Sequence, residues 1–358
     1  MNTLIDQPPN AAPLRHGFRF EGSGGEYFKI WIVNLALSIA TLGIFSAWAK
    51  VRSKRYFYGN TYIGEHNFDY HANPLRILVG RVIALTLLLG YSATNHFMPV
   101  MTFVWIVFFL FAMPWLLNAS LRFNARNSSY RNIRFNFVGT YGGAFQAYVL
   151  WSLLAVITLL TTYPLARRAR DQYNINNHTF GGKAFHAEIP GWPMYKAYLL
   201  GGLLFLCGIV IVICVLLGAT LAGLDVKSAD PKQLLTMLPM MLVIGVSYMF
   251  VLLFLTAFVG TRIFNLALNN TVLADKLRFE SSLSALRMGW LVTSNLALTL
   301  ITLGLYYPWA RVRVARYTSE NLAVIGASDL DGFSSELFAG QGAIGEEVAN
   351  FFDVDVGL

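Results

Sequence analysis

The chain contains few charged residues. Only 13% of its 358 residues are charged, whereas an ordinary soluble domain has roughly 25%. Hydrophobic residues make up 56% of the chain, and its mean hydropathy is +0.52. Because so few charges cannot cover the surface of a soluble protein, we expect lipid to cover much of the outside. An ordinary soluble domain is therefore excluded.

Three further features are scarce or missing. Cysteine occurs only at Cys207 and Cys214, which a helix would place about 11 Å apart, too far for a disulfide. Residues 1–17 lack the positive start and apolar core of a cleavable signal peptide, so we expect the first apolar segment to be retained. No Lys or Arg follows Arg316, and the acidic tail is predicted to be solvated, with docking on the basic segments as the alternative.

Long apolar runs are abundant. Crossing a bilayer takes about 20 helical residues, and seven segments come close to or exceed that length. Four are unique in sequence, and three belong to a repeated motif. The unique segments are 77–93, 100–117, 199–222 and 238–259, and the repeated ones are 28–48, 145–165 and 289–309.

One motif occurs three times along the chain. The first copy contains Phe18-Arg19-Phe20, Thr41-Leu42-Gly43 and Trp48-Ala49-Lys50-Val51-Arg52. The second copy aligns with it, without a gap, at a constant offset of 117 residues, although Leu165 replaces the tryptophan. The third copy has counterparts at 277–279, 302–304 and 309–313. Recurring motifs of this kind predict repeated structural units.

Two interpretations of the repeated segments stay open. If all seven segments cross, cations that follow successive copies lie on opposite sides, which fits poorly with the excess of Lys and Arg on cytoplasmic loops. If the repeated segments instead turn near Thr-Leu-Gly and return, only hairpins 77–117 and 199–259 span. Of all the cations, only Lys227 and Lys232 then lie outside.

Short strand-like pieces precede and follow each repeated segment. They are rich in aromatic residues or alternate, as strands do, and they lie at 17–21, 133–137 and 276–279 before the segments and at 61–63, 67–70, 179–180, 184–189 and 322–325 after them. The predicted fold class is thus an all-α multi-pass membrane protein with an internal three-fold repeat and short cytoplasmic β-strands flanking the repeated helices.

The predicted organisation alternates repeat units with membrane hairpins. Polar tails precede and follow these units, and two cytoplasmic connectors separate them. The predicted boundaries are 1–17 tail, 18–76 repeat, 77–117 hairpin, 118–134 connector, 135–198 repeat, 199–260 hairpin, 261–276 connector, 277–330 repeat and 331–358 acidic tail.

Basic and aromatic residues that follow each apolar segment are candidates for contact with anionic lipid headgroups; an ordinary positive-inside anchor is the simpler interpretation. The predicted lipid-contacting set is Trp48, Lys50, Arg52, Arg55, Arg167, Arg168, Arg170, Trp309, Arg311, Arg313 and Arg316. Polar residues within apolar segments usually face protein or water. The predicted intramembrane polar set is Asn34, Thr41, Thr158, Asn295 and Thr302.

The sequence gives little support for a metal-binding, phosphate-binding or catalytic site. His66 and His71, like His178 and His186, lie near carboxylates but lack metal-ligand spacing, so they are predicted to be surface-loop residues. The segment Gly22-Ser23-Gly24-Gly25 predicts a turn rather than a phosphate cradle. We therefore expect no enzyme activity, metal, cofactor or nucleic-acid partner, and a homo-oligomer stays open.

The repeated motif resembles the YjgN-like family of bacterial inner-membrane proteins, a domain family of unknown function. The residues that carry the resemblance are Phe18, Phe20, Gly22, Thr41, Leu42, Gly43, Trp48, Ala49, Lys50, Arg52, Arg55, Tyr56, Asn60 and Thr61. The resemblance implies a multi-pass inner-membrane protein, and we expect most loops and the C-terminal tail to be cytoplasmic. Our leading functional hypothesis is transport or conduction of a small solute or ion, and the alternative is a non-enzymatic scaffold or anionic-lipid-binding module.

Overall fold

Ten short strands form a closed antiparallel barrel in the computed structural model, which describes residues 14–221, 231–326 and Gly332. Every strand pairs with its neighbours along the chain, and β1 closes the barrel by pairing with both β2 and β10. The strands are β1 Leu14–Phe20, β2 Thr61–Ile63, β3 His66–Tyr70, β4 Ser128–Tyr130, β5 Ile133–Phe137, β6 His178–Phe180, β7 Lys183–Ala187, β8 Thr271–Leu273, β9 Leu277–Ser281 and β10 Leu322–Gly326.

Tight turns occupy one end of the barrel. Four hairpins, β2–β3, β4–β5, β6–β7 and β8–β9, turn through residues with positive φ, among them Gly64, Asn132, Gly182 and Asp275. Backbone of this left-handed type matches the twist of paired strands. Because strands in a meander alternate in direction, all the long connections leave from the opposite end.

Those long connections are five helical hairpins. Each helix contacts the next along the chain, and the last contacts the first, so the helices also form a closed ring. The hairpins are α1 Gly24–Ala40 with α2 Ser46–Gly59, α3 Pro74–Phe97 with α4 Met101–Arg126, α5 Tyr141–Ile157 with α6 Tyr163–Asn176, α7 Gly191–Leu221 with α8 Pro231–Asn269, and α9 Ala285–Ile301 with α10 Tyr307–Glu320. A π-helical turn, Phe145–Leu150, lies within α5.

The predicted all-α class with a three-fold repeat is wrong. A closed ten-stranded barrel runs through the chain, and the long hairpins α3–α4 and α7–α8 occupy places in the ring equivalent to those of the three short ones. Strands β4 and β8 fall in the segments predicted as connectors 118–134 and 261–276. With three residues each, they are too short to show the alternation by which strands are recognised. The acidic tail, apart from Gly332, lies outside the described residues.

Four helices are long and apolar enough to cross a membrane: Pro74–Phe97, Met101–Arg126, Gly191–Cys214 and Leu242–Asn269. The repeated segments differ, because each is broken. The first helix of the first copy ends at Ala40 and the second begins at Ser46, and the flanking strands β1 and β2 pair with each other. The same pairing joins β5 to β6 and β9 to β10. Of the two interpretations, the structure therefore agrees with segments that turn back.

A leucine occupies the left-handed turn at the tip of each short hairpin. Leu42, Leu159 and Leu303 all have φ of 49°, and their side chains are 96%, 87% and 93% exposed. This conformation costs a non-glycine residue roughly 1–2 kcal/mol. Exposed apolar groups in a strained turn are unfavourable in water, and we expect the tips to contact lipid.

The barrel interior is filled with apolar side chains. Ile63, Ile133, Phe180 and Leu277 are among the buried residues of this core. Five partly buried phenylalanines from alternate strands pack against it, with successive ring centroids 5.8–6.4 Å apart. This phenylalanine ring consists of Phe18, Phe68, Phe135, Phe185 and Phe279.

Candidate functional site

A side chain of each returning helix bonds a backbone carbonyl at the start of the next hairpin. Four of these donors are arginines and one is an asparagine, and the last bond closes the ring. The five bonds are Arg55 to the Tyr70 carbonyl (3.1 Å), Arg122 to Phe137 (3.3 Å), Arg168 to Ile189, Asn265 to Leu283 (2.8 Å) and Arg316 to Gly22 (3.0 Å). Arg55, Arg168 and Arg316, predicted to contact lipid, are therefore part of the architecture. Because a carbonyl is neutral, each arginine keeps its net charge.

A tyrosine hydroxyl holds the N-terminus of the outgoing helix in each short hairpin. Tyr56 accepts a hydrogen bond from the Ser23 backbone N–H (2.8 Å), and Tyr317 accepts one from Ser284 (2.9 Å). Tyr173 donates to the Thr140 carbonyl (2.9 Å). These tyrosines belong to the repeated motif, but their contacts could not be seen in the sequence.

Two predicted intramembrane residues are buried partners of predicted lipid-contacting arginines. Arg52 donates to Asn34 Oδ1 (3.1 Å), and Arg313 donates to Asn295 Oδ1 (2.7 Å). The second copy has neither partner, since Trp151 and Ala169 occupy the equivalent positions. The asparagine and the arginine are 18 residues apart in the first and third copies, and both are replaced in the second. This shared pattern is the signal in the sequence that could have revealed the pair.

The three threonines of the intramembrane set have a local role. The hydroxyl of each donates to the carbonyl four residues earlier, over 2.7–2.8 Å, at Leu37, Leu154 and Leu298. These bonds close the last turn of the outgoing helices. The predicted set Asn34, Thr41, Thr158, Asn295 and Thr302 is thus not brought together into one site.

The two predicted interface tryptophans pack against aromatic neighbours. Trp48 stacks on Phe45, with centroids 6.0 Å apart, and Trp309 lies 5.1 Å from Phe28 of the adjoining hairpin. Trp309 also covers Gly24, where a Cβ atom would come within 2.2 Å of the indole ring. Glycine at that position therefore permits the contact between the third and first short hairpins.

Four equivalent positions line the junction between each short hairpin and the hairpin that follows. In the first cluster, Ser46, Lys50 and Lys54 lie on one face of α2, four residues apart, and Arg81 of α3 donates to Ser46 Oγ. Lys54 Nζ donates to Asn124 Oδ1 of α4 (2.6 Å) and lies 4.6 Å from the centre of the Tyr70 ring.

The second cluster holds Tyr163, Arg167, Asp171 and Tyr198 at the same positions. Arg167 and Asp171 form an ion pair of 2.9 Å, and the two tyrosine rings meet edge to face at 5.4 Å. The arginine therefore has its counter-charge within the cluster.

The third cluster holds Tyr307, Arg311, Ala315 and, from the first hairpin, Trp31. Tyr307 and Trp31 have ring centroids 6.1 Å apart, and the Arg311 guanidinium lies over Phe57 at 5.1 Å. Only the first cluster contains three cations, and it contains no carboxylate.

Burial and like charges both act on the lysines of the first cluster. Burial, together with the charge of Lys50, lowers the pKa of Lys54 to about 8. Partial burial and the nearby Arg81 lower the pKa of Lys50. Both effects disfavour the charged ammonium, and a bound anion would oppose them.

Two cavities lie between the phenylalanine ring and the helices. One of about 610 Å³ is lined by Phe18, Phe68, Arg311 and Thr318, among others. The other, of about 300 Å³, is lined by the other three ring phenylalanines and by His178. His178 is half-buried and bonded to the Asn174 carbonyl, so the prediction of a surface-loop histidine is wrong there. Burial lowers the pKa of His178, and the opposing effect of the bond to Asn174 is smaller.

Among the residues that the structure describes, no group of three or more His, Cys, Asp or Glu side chains could hold a metal ion.

A family model described as a bacterial protein of unknown function (DUF898) matches residues 15–351. The chain belongs to this family. The predicted resemblance to the YjgN-like proteins is therefore confirmed, because curated relatives also carry that name.

Three relatives are named "Inner membrane protein YjgN". The protein of Salmonella typhimurium strain LT2 is 24% identical over 92% of each chain. That of Escherichia coli O157:H7 is 23% identical over 88% of this chain and 89% of its own, and that of E. coli K12 is 29% identical over 41% and 37%. No solved structure matches this chain. The relatives and the four long apolar helices together identify a membrane protein.

Proposed function

We propose that this chain is a multi-pass inner-membrane protein that binds anionic lipid headgroups, without enzymatic activity, where its helices meet the barrel. The observation that carries the proposal is an excess of positive charge there. Only three carboxylates, Glu26, Asp171 and Glu320, occur on the described helices. The cations near the barrel outnumber these carboxylates. We call them the basic belt, which consists of Lys50, Arg52, Lys54, Arg55, Arg81, Arg122, Arg126, Arg167, Arg168, Arg170, Arg311, Arg313 and Arg316.

Several arginines of the belt have neutral partners, which leave their charge in place. Arg52, Arg55, Arg313 and Arg316 donate to amide or carbonyl oxygens, whereas Arg167 forms an ion pair with Asp171. Lipid phosphate can supply the balancing negative charge. Each juxtamembrane cation contributes about 1 kcal/mol to association with an anionic leaflet.

The fold also supports a single-sided arrangement. All five hairpins leave the same end of the barrel, so apolar helices project from one side and the strands remain on the other. The loop between α3 and α4 carries no Lys or Arg. By the positive-inside rule, the belt, the barrel and most loops are assigned to the cytoplasmic side. The tips of the short hairpins then enter the bilayer and return.

Spin-labelled lipids test this function on the full chain in phosphatidylcholine bilayers. We expect labelled phosphatidylglycerol to associate about fivefold more strongly than labelled phosphatidylcholine, as one cation contact predicts, and the preference to weaken in salt. Replacing Lys50 and Arg311 by Gln should reduce it.

The matched control replaces Arg134 and Arg278, which are exposed on the barrel strands, and should retain the preference. Equal association of the two lipids with the unmodified chain would overturn the proposal.

Transport of a small solute is the second candidate function. The observation that favours it is the pair of cavities above the phenylalanine ring, next to helices that break within the apolar layer. Because the barrel core beneath the ring is filled, a solute would have to pass between helices. Liposome flux assays across a broad solute panel test this, and Ala315→Phe should obstruct the larger cavity. No flux for any solute would reject transport.

A further inference from the structure

We infer that the first cluster is a binding site for the phosphate group of one anionic lipid. The inference rests on the proposed function, which supplies the orientation of the helices. It goes beyond a diffuse basic belt, because it assigns one ligand to Lys50, Lys54 and Arg81.

The three cations come from two hairpins and converge beside α4. Ser46, Lys50 and Lys54 form one row along α2, Arg81 reaches that row through Ser46 Oγ, and Lys54 is fixed by Asn124. Lys50 is exposed, so a ligand can reach the cluster from outside. Within the described part of the chain, no carboxylate forms an ion pair with any of the three.

The position of Arg81 favours a negatively charged partner. It lies about two turns into α3, a helix long and apolar enough to span. Ionisable side chains at such positions are costly beside lipid and mark functional sites. The partner seen for the guanidinium, a serine hydroxyl, is neutral.

The second cluster indicates where an anion sits. There the residue equivalent to Lys54 is Asp171, whose carboxylate lies 2.9 Å from the guanidinium of Arg167. The first cluster has Lys54 at that position and Arg81 in place of Tyr198. A cluster of this design supplies three donors and no acceptor charge, so its anion must come from outside the junction.

Phosphate matches these donors. Arginine binds phosphate oxygens through its planar fork, and lysine binds them as a point charge. A lipid source is favoured over free phosphate by the neighbouring surface of α3, where Val82 and Leu85 are 54% and 55% exposed and can contact acyl chains.

Native mass spectrometry of the delipidated full chain, titrated with dioleoyl phosphatidylglycerol, tests the site. We expect one lipid to bind at least about tenfold more tightly than the rest, and Lys54→Asp to remove that advantage. Arg167→Gln, which corresponds in the second cluster to Lys50→Gln in the first, should leave it intact. Circular dichroism and gel filtration establish that both variants fold, and Lys50→Gln is the milder substitute if Lys54→Asp does not.

Each result decides between alternatives. If both variants lose the tight lipid, or neither does, the first cluster is not the site. If inorganic phosphate competes with the same affinity as the lipid, the ligand is a free anion and the lipid assignment fails. A tight lipid that is insensitive to Lys54→Asp, with the spin-label preference retained, would overturn this inference and leave the proposed function standing. If the unmodified chain bound no lipid more tightly than the rest and showed no spin-label preference, both would be overturned.

Discussion

The first and second short hairpins share a left-handed tip and a tyrosine contact but differ in how they balance charge. Both break at a left-handed leucine, and a tyrosine of each returning helix bonds the start of its own hairpin. In the second, Asp171 neutralises Arg167, and Trp151 and Ala169 stand where the first has Asn34 and Arg52. The fold therefore needs the turn and the tyrosine, whereas the cations can change.

The largest expected effect concerns the buried amide of the first hairpin. Asn34 is 4% exposed, and Arg52 binds its oxygen, while its Nδ2 has no partner among the described residues. Arg52→Ala should lower the free energy of unfolding by about 1–3 kcal/mol, because a buried oxygen loses its donor. Thermal unfolding in detergent measures this.

A double variant sharpens that comparison. Asn34→Leu combined with Arg52→Ala imitates the apolar solution of the second hairpin and should recover most of the lost stability. Arg313→Ala provides the matched test in the third hairpin, where Asn295 is 6% exposed. If Arg52→Ala left the unfolding temperature unchanged, the Arg–Asn bond would have no structural role.

The next effect converts the second cluster toward the first. Asp171→Lys removes the internal carboxylate and leaves Arg167 beside a new cation. We expect one additional phosphatidylglycerol to bind, with an affinity gain of about tenfold over the unmodified second cluster. Native mass spectrometry counts the bound lipids. Asp171→Asn is the control, since it removes the negative charge without adding a positive one, and an equal gain for both variants would contradict the role of lysine.

A smaller effect follows from pH. Burial and the charge of Lys50 lower the pKa of Lys54 to about 8. The other groups that face Lys54 are Asn124 and Tyr70, and the pKa of Tyr70 is raised to about 12. Arg81 lies beside Lys50. Lys54 is thus charged below pH 8 and loses its proton above it, while Tyr70 stays neutral. Binding of lipid phosphate should weaken a few-fold as the pH rises above about 8.

Linkage fixes the sign of that change. Because a bound anion raises the pKa of Lys54, protons are taken up on binding and affinity falls with increasing pH until the bound form also deprotonates. Titrations of lipid at several pH values measure it, with Lys54→Arg as the control that should abolish the pH dependence in this range. Affinity that rises with pH would contradict the assignment.

From the sequence alone, broken apolar segments were one of two open interpretations. Many of the flanking strands were predicted, but their closure into a barrel was not. The Thr-Leu-Gly tips were visible because glycine follows a leucine in two copies, and both adopt positive φ. The barrel was hidden because β4 and β8 have three residues each. Pairing of distant strands depends on the whole chain rather than on any local pattern.

The candidate site was predicted in part. Lys50 was recognised as a headgroup contact from its place after an apolar segment. Arg81 was not assigned to it, because the helix that carries Arg81 follows two strands and a turn. Arg55, Arg168 and Arg316 could not be separated from the other cations, since their carbonyl partners lie in the next hairpin.

The smallest expected difference between the two hairpins concerns their tips, which have the same left-handed leucine. Glycine in place of Leu42 or Leu159 relieves a strain of roughly 1–2 kcal/mol but removes a leucine worth about 1.5–3 kcal/mol when its surroundings are apolar. Each variant should therefore be slightly less stable than the unmodified chain in lipid nanodiscs. Because the two leucines share the same φ and are both highly exposed, the two losses should agree within about 0.5 kcal/mol. If thermal unfolding showed lower stability for one variant and higher stability for the other, only one of the two tips would reach lipid. The two tips would then lie at different depths in spite of their similar conformation.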